Sequence, residues 1–99
     1  MPYTYIVQCA DSSFYTGWTT NLETRLTAHN NGTGARYTRS RLPVALVYYE
    51  LQSDESQARK REYAIKQLSR KSKLELITAF HSCGVSNIDN LIIQPPEVK

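Results

Sequence analysis

Alternating apolar and polar positions near the start of the chain predict a β-hairpin. Every second residue from Tyr3 to Cys9 is apolar or aromatic, which places these side chains on one face of a strand. A turn-forming segment follows at residues 10–13, and residues 14–18, with the sequence FYTGW, have the composition of a second strand. Two strands joined by so short a loop pair in antiparallel fashion.

Capping signals at three later places predict helices. A Ser or Thr followed three residues later by Glu satisfies two backbone donors of a first helical turn. Apolar residues then recur at helical spacing behind each signal. Two signals have this spacing, Thr20 with Glu23 and Ser72 with Glu75, and the second predicts a helix from Lys73. The third signal is of another kind: Ser53-Asp54-Glu55 places capping and acidic residues at the start of a helix.

The remaining segments complete the predicted fold. Residues 44–50, with the sequence VALVYYE, are apolar enough to predict a third, well-covered strand, whereas residues 30–43 predict a polar loop. The element order ββαβαα indicates an α+β fold in which a small three-stranded antiparallel sheet is flanked by helices. Residues 1–82 are expected to form this domain, and residues 83–99 a C-terminal tail that packs on it or trails.

Length and composition fit one small globular domain and exclude several classes of protein. The chain has 99 residues, of which 40% are hydrophobic and 21% charged, unlike a disordered chain. Its longest apolar run, Val44–Tyr49, is far shorter than the roughly 18 residues that a membrane-spanning helix needs. The two cysteines lack zinc-ligand spacing, and the N-terminus lacks the pattern of a signal peptide. We therefore expect a cytoplasmic protein without membrane contact.

The net charge of +3 is distributed unevenly along the chain. Residues 25–73 contain eleven of the twelve Lys and Arg against four acidic residues, which gives this segment a net charge of +7. The segments on either side each carry a net charge of −2. A basic centre of this kind suits a polyanion such as nucleic acid. A solvated basic face explains the charge equally well, so charge alone leaves both interpretations open.

Two pairs of polar residues have spacings that suit a common site. Tyr5 and Tyr15 lie on neighbouring strands of the hairpin, and Gly17 lets a ligand or backbone come close. Arg25 and His29 are four residues apart, on one face of the first helix. Arginine suits phosphate, and histidine exchanges protons near neutral pH. Each pair is also explained by ordinary structure, as strand tyrosines and an exposed helical face.

Glu62 is the one acidic residue in a basic run, residues 59–66, and it lies on the apolar stripe of its helix. A carboxylate directed at a core is costly unless it is paired or binds a metal. A salt bridge and a metal site are therefore both open, and one carboxylate with waters suits Mg²⁺. Lys66, one turn further along, is expected to pair with Glu62 or to contact a phosphate.

The predicted loop carries basic residues interleaved with a tyrosine. This pattern follows a phosphate backbone while an aromatic ring stacks on a base, and a flexible solvated loop is the alternative. The residues are Arg36, Tyr37, Arg39 and Arg41.

The order of the candidate residues resembles the GIY-YIG nuclease family, and most closely its small stand-alone members. The similarity extends from Tyr3 to Phe80 and is strongest in the stretches YTYIVQCADSSFYTGWTTNLETRLTAHNNG, ARYTRSR and REYAIKQLSR. Two motif positions differ: residues 3–5 read YTY and lack the glycine of the first motif, and residues 15–17 read YTG, with Thr for Ile. Since the tyrosines and the second glycine are kept, the chemistry is expected to be kept.

The resemblance implies a hydrolase that cleaves phosphodiester bonds with one divalent ion, Mg²⁺ or Mn²⁺, bound by Glu62. It implies that Arg25 neutralises charge developing on the phosphate. Tyr5 is expected to be the base, with its pKa lowered by nearby cations, while Tyr15 orients water or phosphate and His29 assists proton transfer. The implied catalytic residues are Tyr5, Tyr15, Arg25, His29 and Glu62.

The implied partner is DNA, whether single-stranded, duplex or branched, in repair or processing. We expect a monomer or weak dimer of low sequence specificity, because the chain has no room for a separate targeting domain. The alternatives are a nucleic-acid-binding module of the same fold that does not cleave, and a structural or partner-interaction domain. The expected nucleic-acid-binding residues are Arg36, Tyr37, Arg39, Arg41, Arg59, Lys66 and Arg70.

Overall fold

Three strands form one antiparallel sheet in the computed structural model of the chain, which describes residues 1–82. They are β1 (Tyr3–Gln8), β2 (Phe14–Thr19) and β3 (Ala45–Leu51). Strand β1 lies in the centre and pairs antiparallel with both others. This sheet confirms the predicted hairpin and the predicted α+β class. The tail predicted at residues 83–99 lies outside the described part of the chain.

Four helices accompany the sheet within residues 1–82, one more than the sequence predicts. They are α1 (Leu22–Asn30), α2 (Arg36–Arg39), α3 (Glu55–Lys66) and α4 (Arg70–Ser82). Helix α2 is a single turn inside the segment predicted to be a loop, so that prediction is corrected for four residues. The other elements follow the predicted order ββαβαα. No helix in this part of the chain has both the length and the apolar character to cross a membrane.

Side-chain caps fix where α1 and α3 begin. At α1, Asn21 Oδ1 accepts a hydrogen bond from the backbone N–H of Thr24 at 2.9 Å, so the cap lies one residue beyond the predicted Thr20. At α3, Asp54 Oδ1 accepts from the backbone N–H of Gln57 at 2.9 Å, within the predicted opening. Each cap satisfies a backbone donor that the first helical turn leaves without a partner.

The two faces of the sheet pack against different helices. On one face, Tyr5 and Val7 of β1 are buried with Leu22 of α1, which confirms the predicted alternation along this strand. On the other face, Ile6 packs with Ile65 of α3 and with apolar residues of α4. Tyr5 therefore faces the helix that carries the arginine and histidine predicted for the site.

Helix α3 lies against both β1 and the edge strand β2. Thr4 Oγ1 donates a hydrogen bond to the carbonyl of Ala58 at 3.0 Å, and both side chains are fully buried. This close approach fixes the helix along the sheet edge. As a result, Lys66 in the last turn of α3 reaches the ring of Tyr15.

Thr16, which replaces the isoleucine of the second motif, is predicted to lower stability. It is 3% exposed, and its Oγ1 has no hydrogen-bond partner among the described residues. We expect Thr16→Val, which keeps the shape and removes the hydroxyl, to raise the free energy of unfolding by about 1 kcal/mol. Urea unfolding measures this as a higher midpoint at an unchanged m-value.

Thr4→Val provides the matched control for Thr16→Val. It should lower the free energy of unfolding, because it removes the hydrogen bond to Ala58. A Thr16→Val protein that is less stable than the wild type would show that the hydroxyl of Thr16 has a partner.

Candidate active site

Tyr5 is the centre of a hydrogen-bonded cluster formed by β1 and α1. Its hydroxyl lies 2.9 Å from His29 Nε2, and Arg25 Nε donates to it at 3.2 Å. Arg25 and His29 both reach Tyr5 because they are one turn apart on the face of α1 that packs on the sheet. Tyr5 and His29 are 2% and 0% exposed. The structure thus brings together three of the predicted site residues.

The second ring nitrogen of His29 is held by the segment that follows α1. His29 Nδ1 lies 2.8 Å from Thr38 Oγ1, and the Thr38 hydroxyl donates to the carbonyl of Ala35 at 3.0 Å. The backbone N–H of Ala35 also points to Nδ1, at 3.5 Å. Thr38 belongs to α2 and is fully buried. Helix α2 therefore forms a wall of the site.

Two glycines leave room for this cluster. A Cβ at Gly17 of β2 would lie 2.7 Å from the hydroxyl oxygen of Tyr5. A Cβ at Gly34 would lie 2.5 Å from His29 Nδ1 and 2.8 Å from His29 Cα. A larger residue at position 34 must push the segment away from His29, because a backbone atom in a helix cannot yield as a side-chain tip does.

Tyr15 extends the cluster toward the surface. Its ring meets the ring of His29 edge-on, with centroids 5.5 Å apart. It also stacks with Tyr37 of α2, with centroids 6.0 Å apart and planes inclined by 21°. Lys66 Nζ lies 5.9 Å from the centre of the Tyr15 ring. Tyr15 is therefore the point where side chains from α1, α2 and α3 meet.

Glu62 forms an ion pair with Lys66 at a partly buried position. Glu62 Oε2 lies 2.7 Å from Lys66 Nζ, and the Glu62 side chain is 20% exposed. The salt bridge that the sequence left open is therefore present, and the carboxylate keeps access to solvent. The negative charge of Glu62 is close enough to Tyr5 to contribute to raising the pKa of its hydroxyl.

The single carboxylate of Glu62 fits a divalent ion that is bound mainly by other oxygens. Within residues 1–82, no three His, Cys, Asp or Glu side chains gather as a protein-only metal site. Mg²⁺ commonly takes one or two carboxylates and completes its shell with water and substrate phosphate. A partly exposed carboxylate such as that of Glu62 meets this requirement.

Burial raises the pKa of Tyr5 from 10.0 to about 12. Arg25 acts in the opposite direction, through its hydrogen bond and its charge, but it does not outweigh burial. The expectation that nearby cations lower this pKa is therefore wrong for the protein alone. Tyr5 is therefore a neutral phenol at physiological pH.

Burial and, to a lesser degree, the charge of Arg25 lower the pKa of His29 from 6.5 to about 4. Below pH 6.5 the unfolded chain therefore binds a proton that the folded protein excludes. We expect this difference to reduce the free energy of unfolding as the pH falls from about 6.5 to 4, by up to roughly 3 kcal/mol.

Urea unfolding at a series of pH values measures this effect. The decline should be shallower in His29→Gln than in the wild type, whereas His81→Gln, the variant of the second histidine, should keep it. Equal pH dependence in the wild type and His29→Gln would contradict the prediction.

The predicted binding residues of α2 and the segment after it have two different environments. Arg36 and Arg39 are exposed on α2. Arg41 Nε instead pairs with Asp11 Oδ2 at 3.1 Å, and its guanidinium carbon lies 4.0 Å from the centre of the Tyr37 ring. Arg36 and Arg39 are therefore open to a ligand, while Arg41 supports the tyrosine that stacks on the site.

Three cations from α3 and α4 each lie over an aromatic ring of β2. Their order along the helices is the reverse of the order of the rings along the strand. Arg59 and Lys66 are seven helical residues apart, and their partners Trp18 and Tyr15 are three strand residues apart. Both separations span about 10 Å, so these two pairs match in spacing. The pairs are Arg59 with Trp18 at 5.5 Å, Lys66 with Tyr15 at 5.9 Å and Arg70 with Phe14 at 4.6 Å.

Sequence reasoning missed two residues of this site, Gly34 and Thr38. Neither is part of a periodic pattern, and each is defined by its contact with His29. Thr38 lies in the stretch ARYTRSR, which carries part of the family resemblance, but that stretch was interpreted through its arginines and tyrosine. No sequence pattern indicates that a threonine in a polar segment is buried, because its burial depends on how the segment packs against the helix.

The family resemblance requires two tyrosines, an arginine, a histidine and a glutamate in one site. The sheet and the helices packed on it bring these residue types together. The chain belongs to the GIY-YIG catalytic domain family, which matches residues 1–75. This match confirms the resemblance and places the chain in a nuclease superfamily.

The chain is also similar to UPF0213 proteins of several bacteria. That of Clostridium perfringens is 57% identical over 79 residues, which covers 80% of this chain and 85% of the relative. That of Desulfotalea psychrophila is 60% identical over 78 residues, which covers 78% of this chain and 71% of the relative.

Solved structures show a similar fold. The solution NMR structure of a UPF0213 protein from Bacillus halodurans shares 41% identity, covers 80% of this chain and 85% of that chain, and has a TM-score of 0.52. The solution NMR structure of a protein from E. faecalis shares 46% identity, covers 81% of this chain and 85% of that chain, and has a TM-score of 0.55.

Proposed function

We propose that this protein is a metal-dependent endonuclease that hydrolyses DNA phosphodiester bonds with low sequence specificity. The observation that carries the proposal is the hydrogen-bonded cluster of Tyr5, Arg25 and His29, with Tyr15 and the Glu62–Lys66 pair beside it. A buried neutral histidine next to a phenol and a guanidinium suits proton transfer at a phosphate. The protein acts in the cytoplasm as a monomer or weak dimer, in repair or processing of DNA.

Glu62 holds the metal ion in this proposal. A divalent ion bound there would supply positive charge to the phosphate and to the leaving oxygen. The side chain of Glu62 is partly exposed, so an ion with its waters would have access to it. With an ion on Glu62, Lys66 would be free to leave the carboxylate, and its ammonium group would contact a phosphate oxygen of the substrate.

Tyr5 and His29 carry the proton of the attacking water. Tyr5 Oη takes a proton from the water while its own hydrogen moves to His29 Nε2, 2.9 Å away. This route avoids a free phenolate, which the raised pKa of Tyr5 opposes. The negative charge of a bound phosphate raises the pKa of His29 and so helps it to accept the proton. Arg25, which donates to Tyr5, neutralises charge on the phosphate.

The basic residues around the site bind the DNA backbone. Arg36 and Arg39 are exposed on α2, whose Tyr37 stacks with Tyr15, and the cations of α3 and α4 lie over aromatic rings of β2. Phosphate contacts of this kind carry no sequence information, which supports low specificity. Tyr37 offers an aromatic ring at 39% exposure for stacking on a base.

Binding should weaken steeply with salt, because it depends on these phosphate contacts. With about four phosphates contacted, affinity should fall roughly a hundredfold between about 50 and 200 mM salt. Fluorescence anisotropy with labelled DNA in EDTA, which prevents cleavage, measures this slope. Arg36→Ala combined with Arg39→Ala should make the slope shallower, and an affinity independent of salt would contradict the proposed surface.

Cleavage of labelled single-stranded, duplex and flap DNA with Mg²⁺, with Mn²⁺ and with EDTA tests the proposed function. We expect cleavage in the presence of either ion and none with EDTA. Cleavage of several unrelated sequences at similar rates would support low specificity. Absence of cleavage under all these conditions would reject the proposal.

The second candidate is a nucleic-acid-binding module of the same fold that does not cleave. The Glu62–Lys66 ion pair favours it, because an internal cation already neutralises the carboxylate assigned to the metal. Salt-dependent binding without cleavage in the same assays would select this function.

A further inference from the structure

The partners of His29 favour one set of hydrogen-bond directions. Arg25 Nε–H can only donate, so the oxygen of Tyr5 accepts at that contact of 3.2 Å. Thr38 has one hydroxyl hydrogen, which it donates to the carbonyl of Ala35 at 3.0 Å. At its second contact, 2.8 Å from His29 Nδ1, the oxygen of Thr38 therefore accepts. The hydrogen of the neutral imidazole consequently lies on Nδ1.

The other nitrogen, Nε2, is then free to accept. A neutral imidazole carries one hydrogen, so a hydrogen on Nδ1 leaves a lone pair on Nε2. Nε2 lies 2.9 Å from the hydroxyl of Tyr5, whose hydrogen is not used by Arg25. The chain of hydrogen bonds thus runs in one direction from Arg25 through Tyr5 to His29, and His29 in turn donates to Thr38.

The opposite tautomer leaves a buried donor without an acceptor. With its hydrogen on Nε2, His29 would donate to the oxygen of Tyr5, which already accepts from Arg25. The hydrogen of Tyr5 would then have no acceptor among the described residues, although the residue is 2% exposed. One contact favours this tautomer, the backbone N–H of Ala35, and at 3.5 Å from Nδ1 it is at the limit of a hydrogen bond.

We propose that Thr38 is a positioning residue that holds His29 in the Nδ1–H tautomer and so keeps Nε2 available for the proton of Tyr5. The consequence for catalysis rests on the proposed function, whereas the tautomer itself does not. Thr38 acts through His29, because its side chain bonds to the ring nitrogen that faces away from Tyr5.

Two substitutions of Thr38 separate its hydroxyl from its shape. Thr38→Val keeps the shape but can neither donate nor accept, so the N–H of Ala35 becomes the nearest polar partner of Nδ1. We expect the hydrogen of His29 to move to Nε2 in this variant. Thr38→Ser keeps the hydroxyl, and we expect the Nδ1–H tautomer to remain.

Two-bond ¹H–¹⁵N NMR spectra of protein labelled at its histidines measure the tautomer directly near neutral pH. A nitrogen that carries hydrogen and one that does not have widely separated ¹⁵N shifts, so the two tautomers are distinguished without any assay of activity. His81, the second histidine of the chain, serves as the internal reference, and its signals should be the same in all three proteins.

Cleavage rates provide the second measurement. Thr38→Val should lower kcat by about a hundredfold or more with little change in KM, because general acid–base catalysis contributes factors of this size. Thr38→Ser should cleave at close to the wild-type rate.

The outcomes distinguish this inference from the proposed function. A wild-type spectrum with the hydrogen on Nε2 overturns the inference, even if Thr38→Val fails to fold. A folded Thr38→Val protein that keeps Nδ1–H, or one that changes tautomer yet cleaves normally, also overturns it. If the tautomers change as expected and the wild type cleaves no DNA, the tautomer assignment is supported and the proposed function fails.

Discussion

Glu62→Gln is expected to abolish cleavage while the protein stays folded. The amide has the shape of the carboxylate but no charge, so it is a poor ligand for a divalent ion. In the proposed mechanism, loss of the ion would remove several kcal/mol of transition-state stabilisation, and we expect the rate to fall by about a thousandfold or more. The measurement is the cleavage rate in saturating Mg²⁺, together with Mn²⁺ binding followed by calorimetry.

The matched control is Glu55→Gln, which lies on the same helix. Glu55 pairs with Arg59 at 3.8 Å, and both side chains are more than 60% exposed, so this pair contributes little. Cleavage and Mn²⁺ binding should be unchanged in the control. A Glu62→Gln protein that binds Mn²⁺ and cleaves within tenfold of the wild type would remove Glu62 from its proposed role.

Tyr5→Phe should have the second largest effect on cleavage, a loss of about a hundredfold to ten-thousandfold. The substitution removes the hydroxyl that bridges Arg25 and His29, and with it the proposed route for the proton of the attacking water. The loss should extend over the whole pH range, because no other group takes the place of the hydroxyl. Cleavage rates measured as a function of pH check this.

Tyr48→Phe is a suitable control for the loss of a buried phenol. Tyr48 lies on β3, is 8% exposed and donates its hydrogen to Glu50, and burial raises its pKa to about 12, as it does for Tyr5. Its hydroxyl takes no part in the cluster around His29. We expect lower stability but a near-normal cleavage rate for Tyr48→Phe, whereas near-normal cleavage by Tyr5→Phe would rule out a role of Tyr5 in proton transfer.

The strands could be predicted because their signals are local. The alternation from Tyr3 to Cys9 and the turn at residues 10–13 specify a hairpin without reference to the rest of the chain. The start of α4 is harder to predict, because Ser69 and Ser72 are both residues that can cap the N-terminus of a helix. The hydroxyl of Ser69 accepts the N–H of Ser72, so the helix begins at Arg70 and not near the predicted Lys73.

The sequence predicts those features of the site that depend on residue type and order, but not those that depend on burial and packing. The order of tyrosines, arginine, histidine and glutamate was sufficient to group Tyr5, Arg25 and His29, which the structure brings into contact. The pKa of Tyr5 was not predictable, because a nearby arginine is visible in the sequence whereas the depth of burial is not. For the same reason Thr38 and Gly34 were missed, since their roles depend on how α2 packs against His29.

The hydrogen-bonded cluster also has a consequence for the timing of the proposed reaction. Its members are already joined to one another in the free protein, so the orientation of these dipoles is set during folding and not by the substrate. Little reorganisation then remains for the moment of reaction, which is the basis of electrostatic preorganisation. Changes that loosen the packing of α2 on α1 should therefore slow the chemical step more than they weaken the hold on DNA, even where no residue that touches DNA is altered.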